Sequence, residues 1–354
     1  MPARAIVIIA RNVTDKTGMG VHRIVAIVVA SLVLASMYVA PARAMDAPGP
    51  VRSLNSALRH LAARLPASSA VEVLDLSTGF RAGYNANSPM PAASTIKVPV
   101  MVEVFRQLEA GRFDLNRRVT LLASDKDYGS GDLCDAPVGS TFAVSELLSK
   151  MIDISDNTAT NMLIRLVGRR HINATMANLG LQRTHLASDV RTSNWAVRSA
   201  LRSSPADMVR LLAMMARREL IDEWSSNEMI SILEEDQINT LLPEPLPVDV
   251  PIAHKTGSFF DTLNDVGIVF EEDAPYVIAV MTTHLPSLST GRSFIRSLSR
   301  MAFEQEARLA RWRTVAGFQP IAAGAGATGI MPPDVRYWSN SAINNSGSEG
   351  GGGL

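Results

Sequence analysis

A serine and a lysine three residues apart are the first candidates for chemistry in this chain of 354 residues. Ser94 is followed by Lys97, and an apolar-periodic run then continues to Gly111, a residue type that often ends helices. Residues three apart share one face of a helix, so the hydroxyl and the ammonium would point the same way. A serine needs an adjacent base to act as a nucleophile, and a lysine becomes one when burial or a second cation lowers its pKa. The alternative is an N-cap serine followed by a surface lysine.

A second segment, Ser155-Asp156-Asn157, interrupts a helical pattern and offers two further polar groups. The Ser155 hydroxyl can donate and accept, so it could relay a proton to a leaving nitrogen, and the Asn157 amide could bond to a substrate amide. The alternative for Ser155 is that it caps the following helix, a role that Asp156 or Asn157 could also fill.

The third segment, His254-Lys255-Thr256-Gly257-Ser258, falls on a predicted strand. A second ammonium, on Lys255, would help to lower the pKa of Lys97, and Lys255 and Thr256 together would hold a substrate carboxylate. Gly257 would let the strand backbone approach a substrate closely. The alternative for Lys255 is a solvated lysine on an edge strand.

The elements that must position these segments follow from the periodicity of the apolar residues. The predicted strands are 70–76, 80–84, 252–257, 263–270 and 276–283, and the predicted helices are 51–65, 94–111, 144–154, 158–167, one beginning at 205, 226–234 and 293–309. We therefore predict an α/β (α+β) three-layer sandwich, whose antiparallel sheet comes from both chain ends, about 45–93 and 251–315, and is flanked by helices. An all-helical subdomain, about 94–250, is inserted, and the active site would lie in the crevice between the two parts.

The first 44 residues are predicted to be a secretory signal peptide that is not part of the fold. An uncharged apolar run covers 24–39, and Ala42-Arg43-Ala44 supplies a cleavage site, so the mature chain would begin near Met45. Met19 is an alternative start to Met1, because it would shorten the segment before the apolar run. A single membrane anchor is the alternative to cleavage, but the run is short for a span. We expect a periplasmic or secreted protein without a stable membrane anchor.

The composition narrows the possible partners, disulfides and cofactors of the protein. The 34 Lys and Arg residues balance 34 Asp and Glu residues, so nothing indicates nucleic acid as a partner. Cys134 is the only cysteine, which excludes an intrachain disulfide, and no second motif supports it as a nucleophile. We expect no cofactor or metal, because the six histidines show no ligand spacing and His254 is interpreted as a sheet residue. We expect a monomer, with a disordered Gly-, Ser- and Ala-rich tail over 316–354.

Taken together, the three segments resemble the serine β-lactamase and penicillin-binding protein superfamily, and most of all its class A branch. Their order, their spacing and the helix after the first segment all fit, over about 51–309. The resemblance implies an acyl-enzyme on Ser94, with Lys97 as the base and Ser155 as the proton relay. It also implies an oxyanion hole made by the backbone N–H groups of Ser94 and Ser258. The substrate-binding residues that it implies are Asn157, Lys255, Thr256, Gly257 and Ser258.

One expected residue is missing. Class A enzymes carry a glutamate in a loop before the helix that here begins near Pro205, and it activates the water that hydrolyses the acyl-enzyme. The window 168–204 contains no glutamate, and its only carboxylate is Asp189. By positional analogy the glutamate's place falls near Asn194, whose amide cannot act as a base. Either Asp189 acts catalytically from a rearranged loop, or deacylation is slow. The alternative for Asp189 is pairing with Arg191 or capping of a turn.

Three functions fit this pattern. The first is a class A-like serine β-lactamase that opens the β-lactam ring through a Ser94 acyl-enzyme, with slow turnover, and so acts in β-lactam catabolism and antibiotic resistance. The second is a D-alanyl-D-alanine peptidase, or penicillin-binding protein. The third is a β-lactam-binding module that stays acylated. The expected partner is accordingly a small-molecule β-lactam or a cell-wall peptide.

Overall fold

The structure is a computed structural model that describes residues 48–318. Its helices are α1 (Gly49–Arg64), α2 (Lys97–Glu109), α3 (Val144–Asp153), α4 (Asn157–Val167), α5 (Arg169–Asn178), α6 (Val197–Ala200), α7 (Pro205–Ala216), α8 (Glu223–Glu234) and α9 (Leu288–Ala316). Its strands are β1 (Ser68–Asp75), β2 (Arg81–Tyr84), β3 (Met90–Pro91), β4 (Arg118–Thr120), β5 (Thr141–Ala143), β6 (His185–Leu186), β7 (Leu201–Ser203), β8 (Ile252–Phe259), β9 (Thr262–Val269) and β10 (Tyr276–Thr283). Most of these elements match the predicted ones to within a few residues.

The main sheet joins the two ends of the described chain. Its five strands are antiparallel, in the order β2-β1-β10-β9-β8, so the early strand β1 pairs with the late strand β10 along its whole length. Every residue of β9 and β10 is buried. Strand β1 alternates apolar and polar residues and yet is buried on both faces. Its Glu72 is accommodated there because the carboxylate pairs with Arg81 at 2.9 Å.

Helices cover both faces of this sheet. Helix α1 buries Val51, Leu54, Leu58 and Ala62, which recur at helical spacing, and it packs against α9 and β2. Helices α7 and α9 both pack on β9 and β10. Because every residue of these two strands is buried, the two helices cover opposite faces. The predicted three-layer sandwich with an antiparallel sheet from both chain ends is confirmed.

The inserted part is mainly helical, but it is not all-helical as predicted. It contributes to two small additional sheets, β3-β7-β6 and β4-β5. Their strands are only two or three residues long, too short to give a periodic pattern in the sequence. Helix α5 was not predicted either, because only Ile172, Thr175 and Met176 are buried along it.

The last helix is longer than predicted. Helix α9 begins where Ser287 Oγ accepts a hydrogen bond from the Thr290 N–H group and ends at Gly317, whose φ of +61° suits glycine. Among residues 48–318, no helix is both long enough and apolar enough to cross a membrane. The predicted signal peptide lies outside the described residues, and so does the predicted tail beyond residue 318.

Candidate active site

Ser94 lies in a 3-10 turn, Ala93–Ile96, that leads directly into α2. The turn begins at Ala93, a non-glycine residue with a φ of +47°, which is an uncommon conformation. Strand β8 presses against this turn, since a Cβ atom on Gly257 would lie 2.9 Å from the Ser94 backbone nitrogen and 3.0 Å from the Ala92 oxygen. Glycine is therefore required at this position of β8, because any side chain would separate the strand from the turn that carries Ser94.

Lys97 is fully buried at the start of α2, so it is not a surface lysine. Its Nζ donates to the Ser155 carbonyl at 2.6 Å and contacts Ser155 Oγ at 2.9 Å and Asn157 Oδ1 at 2.8 Å. Burial lowers the pKa of Lys97 well below its ordinary value, and the nearby Lys255 ammonium lowers it further. The carboxylates of Asp156, Asp127 and Asp236 oppose this lowering only in part.

An uncharged Lys97 amine would have a lone pair free to take a proton. The Ser155 carbonyl and Asn157 Oδ1 can only accept hydrogen bonds, so they occupy the two N–H donors of such an amine. A hydroxyl hydrogen is then the natural partner of the lone pair. The arrangement suits the transfer of a proton from a serine hydroxyl to Lys97.

The turn before α4 places Ser155 and Asn157 beside Lys97. Ser155 has a φ of +56°, and the cap of α4 is Asp156, whose Oδ1 accepts from the Ala159 N–H group at 2.7 Å. The capping alternative for Ser155 is therefore wrong. Asn157 Nδ2 donates to Asp127 Oδ1 at 2.8 Å, which leaves Asn157 Oδ1 facing Lys97.

Lys255 has a counter-ion that the sequence did not indicate. Its Nζ lies 2.8 Å from Asp236 Oδ2, and both side chains are fully buried, so Lys255 is not solvated although β8 is an edge strand. The same oxygen accepts from the Thr256 N–H group at 3.1 Å. Asp236 follows α8 in an irregular segment with no pattern of its own. The only available signal was indirect: a lysine placed among buried strand residues requires a carboxylate.

His254 belongs to the sheet packing, as predicted. Its Nδ1 lies 3.0 Å from Asp265 Oδ1, and its Nε2 lies 3.2 Å from Asn239 Oδ1. Burial lowers the pKa of His254, but the Asp265 carboxylate outweighs it and the net pKa is raised. No cluster of metal-ligating side chains occurs among residues 48–318.

A cavity of about 120 Å³ opens between these segments. It is lined by six of the predicted site residues, which are Ser94, Ser155, Asn157, Thr256, Gly257 and Ser258. Lys97 and Lys255 lie buried behind them. We call Ser155, Asn157 and Thr256, together with Lys97 and Lys255 behind them, the motif wall. The remaining lining residues are Pro91, Ala93, Gly129, Ser130, Val190, Thr192, Val197, Arg198, Leu201, Ile238 and Phe259. We call Val190, Thr192, Val197 and Arg198 the loop wall.

The loop wall does not contain Asp189. Its carboxylate lies 3.2 Å from Arg169 Nη1 and 3.5 Å from Arg191 Nη2, and the residue does not line the cavity. The two arginines pair with the carboxylate outside the cavity, since none of the three residues lines it. The catalytic assignment of Asp189 is thus corrected in favour of ion pairing.

Val190 occupies the loop position that faces the cavity. Its N–H group donates to Asn161 Oδ1 at 2.9 Å, and its carbonyl accepts from Asn161 Nδ2 at 3.0 Å. The expected position near Asn194 is wrong, because Asn194 is exposed and its side chain caps the Ala196 N–H group at 2.9 Å. Within residues 48–318, no aspartate or glutamate lines the cavity.

Asp127 connects the two walls. Its Oδ1 accepts from Asn157 Nδ2 at 2.8 Å and from Thr192 Oγ1 at 2.7 Å, and its Oδ2 accepts from the Thr192 N–H group at 2.8 Å. Burial raises the pKa of Asp127, but these bonds outweigh it and the net pKa is lowered. A carboxylate with this many donors is a structural group rather than a base.

Comparisons of the sequence place the chain among β-lactamases. A profile of the Beta-lactamase enzyme family matches residues 53–305. Beta-lactamase CTX-M-97 of Escherichia coli is 27% identical over 232 residues, which cover 60% of this chain and 79% of that protein. A beta-lactamase of Bacteroides uniformis is 25% identical over 248 residues, which cover 62% of this chain and 80% of that protein.

Solved structures give the same result. The structure of PBP-A matches with a TM-score of 0.69 and 29% identity, covering 72% of this chain and 96% of that one. A PBP-A mutant in an acyl-enzyme complex with penicillin G matches with the same TM-score and identity, covering 73% of this chain and 97% of that one. A beta-lactamase from Sphaerobacter thermophilus matches with a TM-score of 0.66 and 28% identity, covering 73% and 97%. With the family profile spanning most of the chain and three motifs meeting at one cavity, the chain belongs to the beta-lactamase enzyme family as a class A-like serine hydrolase.

Proposed function

We propose that the protein opens β-lactam rings by forming an acyl-enzyme on Ser94 and that it hydrolyses this acyl-enzyme slowly. The observation that carries the proposal is the composition of the cavity. Ser94, Ser155, Asn157 and Thr256 line it together, whereas no carboxylate lines it within the described residues. Export to the periplasm or the medium and a monomeric state are parts of the same proposal, and they rest on the sequence patterns alone.

In the acylation step, Ser94 Oγ attacks the lactam carbonyl carbon while the Lys97 amine takes the hydroxyl proton. The carbonyl oxygen becomes an oxyanion, which the N–H groups of Ser94 and Ser258 stabilise. The ring C–N bond then breaks, and the nitrogen receives a proton through Ser155, whose Oγ lies 2.9 Å from Lys97 Nζ. Thr256, which lines the cavity, binds the substrate carboxylate, and the Lys255 ammonium buried behind it attracts the same group.

In the deacylation step, a water molecule must lose a proton as it attacks the ester of Ser94. A base within hydrogen-bond reach of that water accelerates the step by about 10²–10⁴-fold. The loop wall presents the Val190 side chain instead of a carboxylate, and Asp127 is fully engaged by other donors. The acyl-enzyme is therefore expected to persist.

A D-alanyl-D-alanine peptidase activity is the second candidate. The observation that favours it is the likeness to PBP-A, one of whose mutants was captured as an acyl-enzyme with penicillin G. A linear peptide that ends in a carboxylate presents the same amide and anion to Ser94, Lys255 and Thr256. A β-lactam-binding module that stays acylated would carry out the same acylation step without any deacylation.

Intact-protein mass spectrometry of the purified protein mixed with benzylpenicillin tests the proposal. We expect an adduct with the mass of the drug within minutes and its decay over hours, together with release of the hydrolysed drug. Ser94→Ala is the control, and it should give no adduct.

The possible results separate the candidates. Adduct decay within seconds would contradict the proposed slow deacylation. An adduct that never decays, with release of D-alanine from an acyl-D-alanyl-D-alanine peptide in a parallel assay, would favour the peptidase. An adduct that also forms on Ser94→Ala would overturn the assignment of the nucleophile.

A further inference from the structure

A second cleft adjoins the Ser94 cavity at the loop wall. Its volume is about 400 Å³, and Pro91 and Arg198 line both spaces. Arg198, Arg202 and His284 are the side chains in its lining that carry or can carry positive charge, and no aspartate or glutamate of the described chain lines it. A concave surface with this charge pattern attracts anions.

Arg198 is held firmly at the boundary between the two spaces. Its Nη2 donates to Thr283 Oγ1 at 2.6 Å and lies 3.2 Å from Asp261 Oδ2, and its guanidinium lies 5.5 Å from the centre of the Trp195 ring. Its Nε is buried and has no hydrogen-bond partner among the described residues. The exposed part of the Arg198 side chain, 18%, is what a ligand in the cleft can reach.

The cleft lies at the opposite end of the Ser94 cavity from Lys255. Thr256, Gly257, Ser258 and Phe259 of strand β8 line the cavity in order, and Thr256 and Phe259 lie about 10 Å apart at the usual rise of a strand. Arg198 pairs with Asp261, just beyond the end of that strand. A substrate whose carboxylate is bound at Lys255 would therefore extend its acyl side chain toward Arg198.

Arg202 and His284 line the same cleft as Arg198. Arg202 donates to the Pro89 carbonyl at 2.8 Å, a single bond that leaves other guanidinium donors available. His284 is exposed at the end of β10, 3.3 Å from Ser68 Oγ.

We propose that this cleft binds an anionic group at the end of the substrate's acyl side chain, which makes carboxylate-terminated acyl donors the preferred substrates. The inference rests on the proposed acylation of Ser94. It adds a charge preference on the acyl side, opposite the carboxylate that Lys255 binds.

The test compares two penicillins that differ only in charge. One carries an adipyl side chain on 6-aminopenicillanic acid, and the other carries the same chain with its terminal carboxyl converted to a primary amide. We expect the acid to acylate Ser94 roughly 5-fold faster than the amide, as two partly exposed cations would provide. The ratio of the acid's acylation rate to the amide's should fall toward one as NaCl is raised from about 0.05 to 0.5 M, because salt screens exposed charges.

Variants assign the preference to the cleft. Arg202→Gln should reduce the acid-to-amide ratio, and Arg198→Gln combined with Arg202→Gln should bring it to about one. Arg118→Gln is the matched control, because Arg118 also bonds to a backbone carbonyl but lies on β4, outside both spaces. It should leave the ratio unchanged.

The failure of this inference is distinguishable from failure of the proposed function. If benzylpenicillin acylates Ser94 but the acid and the amide react equally, or if the double variant keeps the preference, the cleft is not an anion site. If no penicillin forms an adduct, the proposed function fails. Calorimetric binding of the two adipyl compounds to Ser94→Ala then still decides the inference, since tighter binding of the acid supports it and equal affinities overturn it.

Discussion

In the motif wall both lysine side chains are fully buried and bonded, Lys97 to Ser155 and Asn157, and Lys255 to Asp236. In the loop wall, Val190 lines the same cavity as Ser94, and its backbone is bonded to Asn161 while its side chain is buried. A buried charge must be given specific partners, which the motif wall supplies. The side chain at Val190 needs no such partner, because it is apolar. The comparison supports the proposed slow turnover, because the groups proposed for acylation are bonded in place whereas Val190, the position proposed for deacylation, carries no base.

The largest expected effect comes from removing Lys97, the proposed general base in the motif wall. Lys97→Met should lower the second-order rate constant for acylation by benzylpenicillin by about 10²–10⁴-fold, because the Ser94 proton then has no acceptor. Stopped-flow or quenched mass spectrometry measures this rate. Lys150→Met, which removes an exposed lysine paired with Asp132, should leave the rate unchanged. Acylation at the wild-type rate in Lys97→Met would show that another group takes the proton.

The second effect is on stability. Asp236→Asn leaves the fully buried Lys255 ammonium without a counter-ion, which should lower the free energy of unfolding by about 3–5 kcal/mol in urea titrations. Asp132→Asn breaks the exposed pair with Lys150 and should change it by less than about 1 kcal/mol. Equal losses in the two variants would mean that burial of the Lys255 pair does not determine its contribution.

A carboxylate introduced at Val190 tests the proposed role of the loop wall in deacylation. Val190→Glu should shorten the lifetime of the acyl-enzyme by about 10–100-fold, because it supplies a carboxylate beside Ser94 on a backbone that Asn161 already fixes. Val190→Gln is the matched control, since it has the same shape but no base, and its adduct should persist. A Glu variant no faster than the Gln variant would rule out Val190 as the deacylation position.

The smallest expected effect is a shift in pH dependence. The lone pair of Lys97 is available only in its unprotonated form, so acylation should rise with pH through the lowered pKa of Lys97. The double variant Lys255→Met with Asp236→Asn replaces the buried pair. It removes the Lys255 ammonium, which lowers the pKa of Lys97, and the Asp236 carboxylate, which raises that pKa more weakly. The midpoint of the rate profile should therefore move to higher pH. An unchanged or lower midpoint would mean that Lys255 does not tune Lys97.

The motif wall could be predicted from the sequence because its residues occur in short segments with local meaning. Lys97 lies one turn of chain after Ser94, and Lys255 and Thr256 lie on one strand. Asp236 could not be predicted, because it meets Lys255 only after the chain between them has folded.

The loop wall was harder for the same reason. A residue count along an irregular loop does not fix which side chain faces inward, so the expected position near Asn194 was wrong. Val190 is identified by a contact with Asn161 on another element, and only the fold reveals it. The sandwich itself was predictable, since five strands and most helices carry clear periodicity, whereas strands of two or three residues do not.

The double contact of Asn161 with Val190 also has an evolutionary consequence. Both bonds go to the backbone, so neither of them requires a particular side chain at this position. Valine and glutamate codons can differ by a single base. Under the proposed function, selection by a β-lactam drug would let a lineage carrying this chain change from slow to fast hydrolysis of the acyl-enzyme by one mutation at Val190.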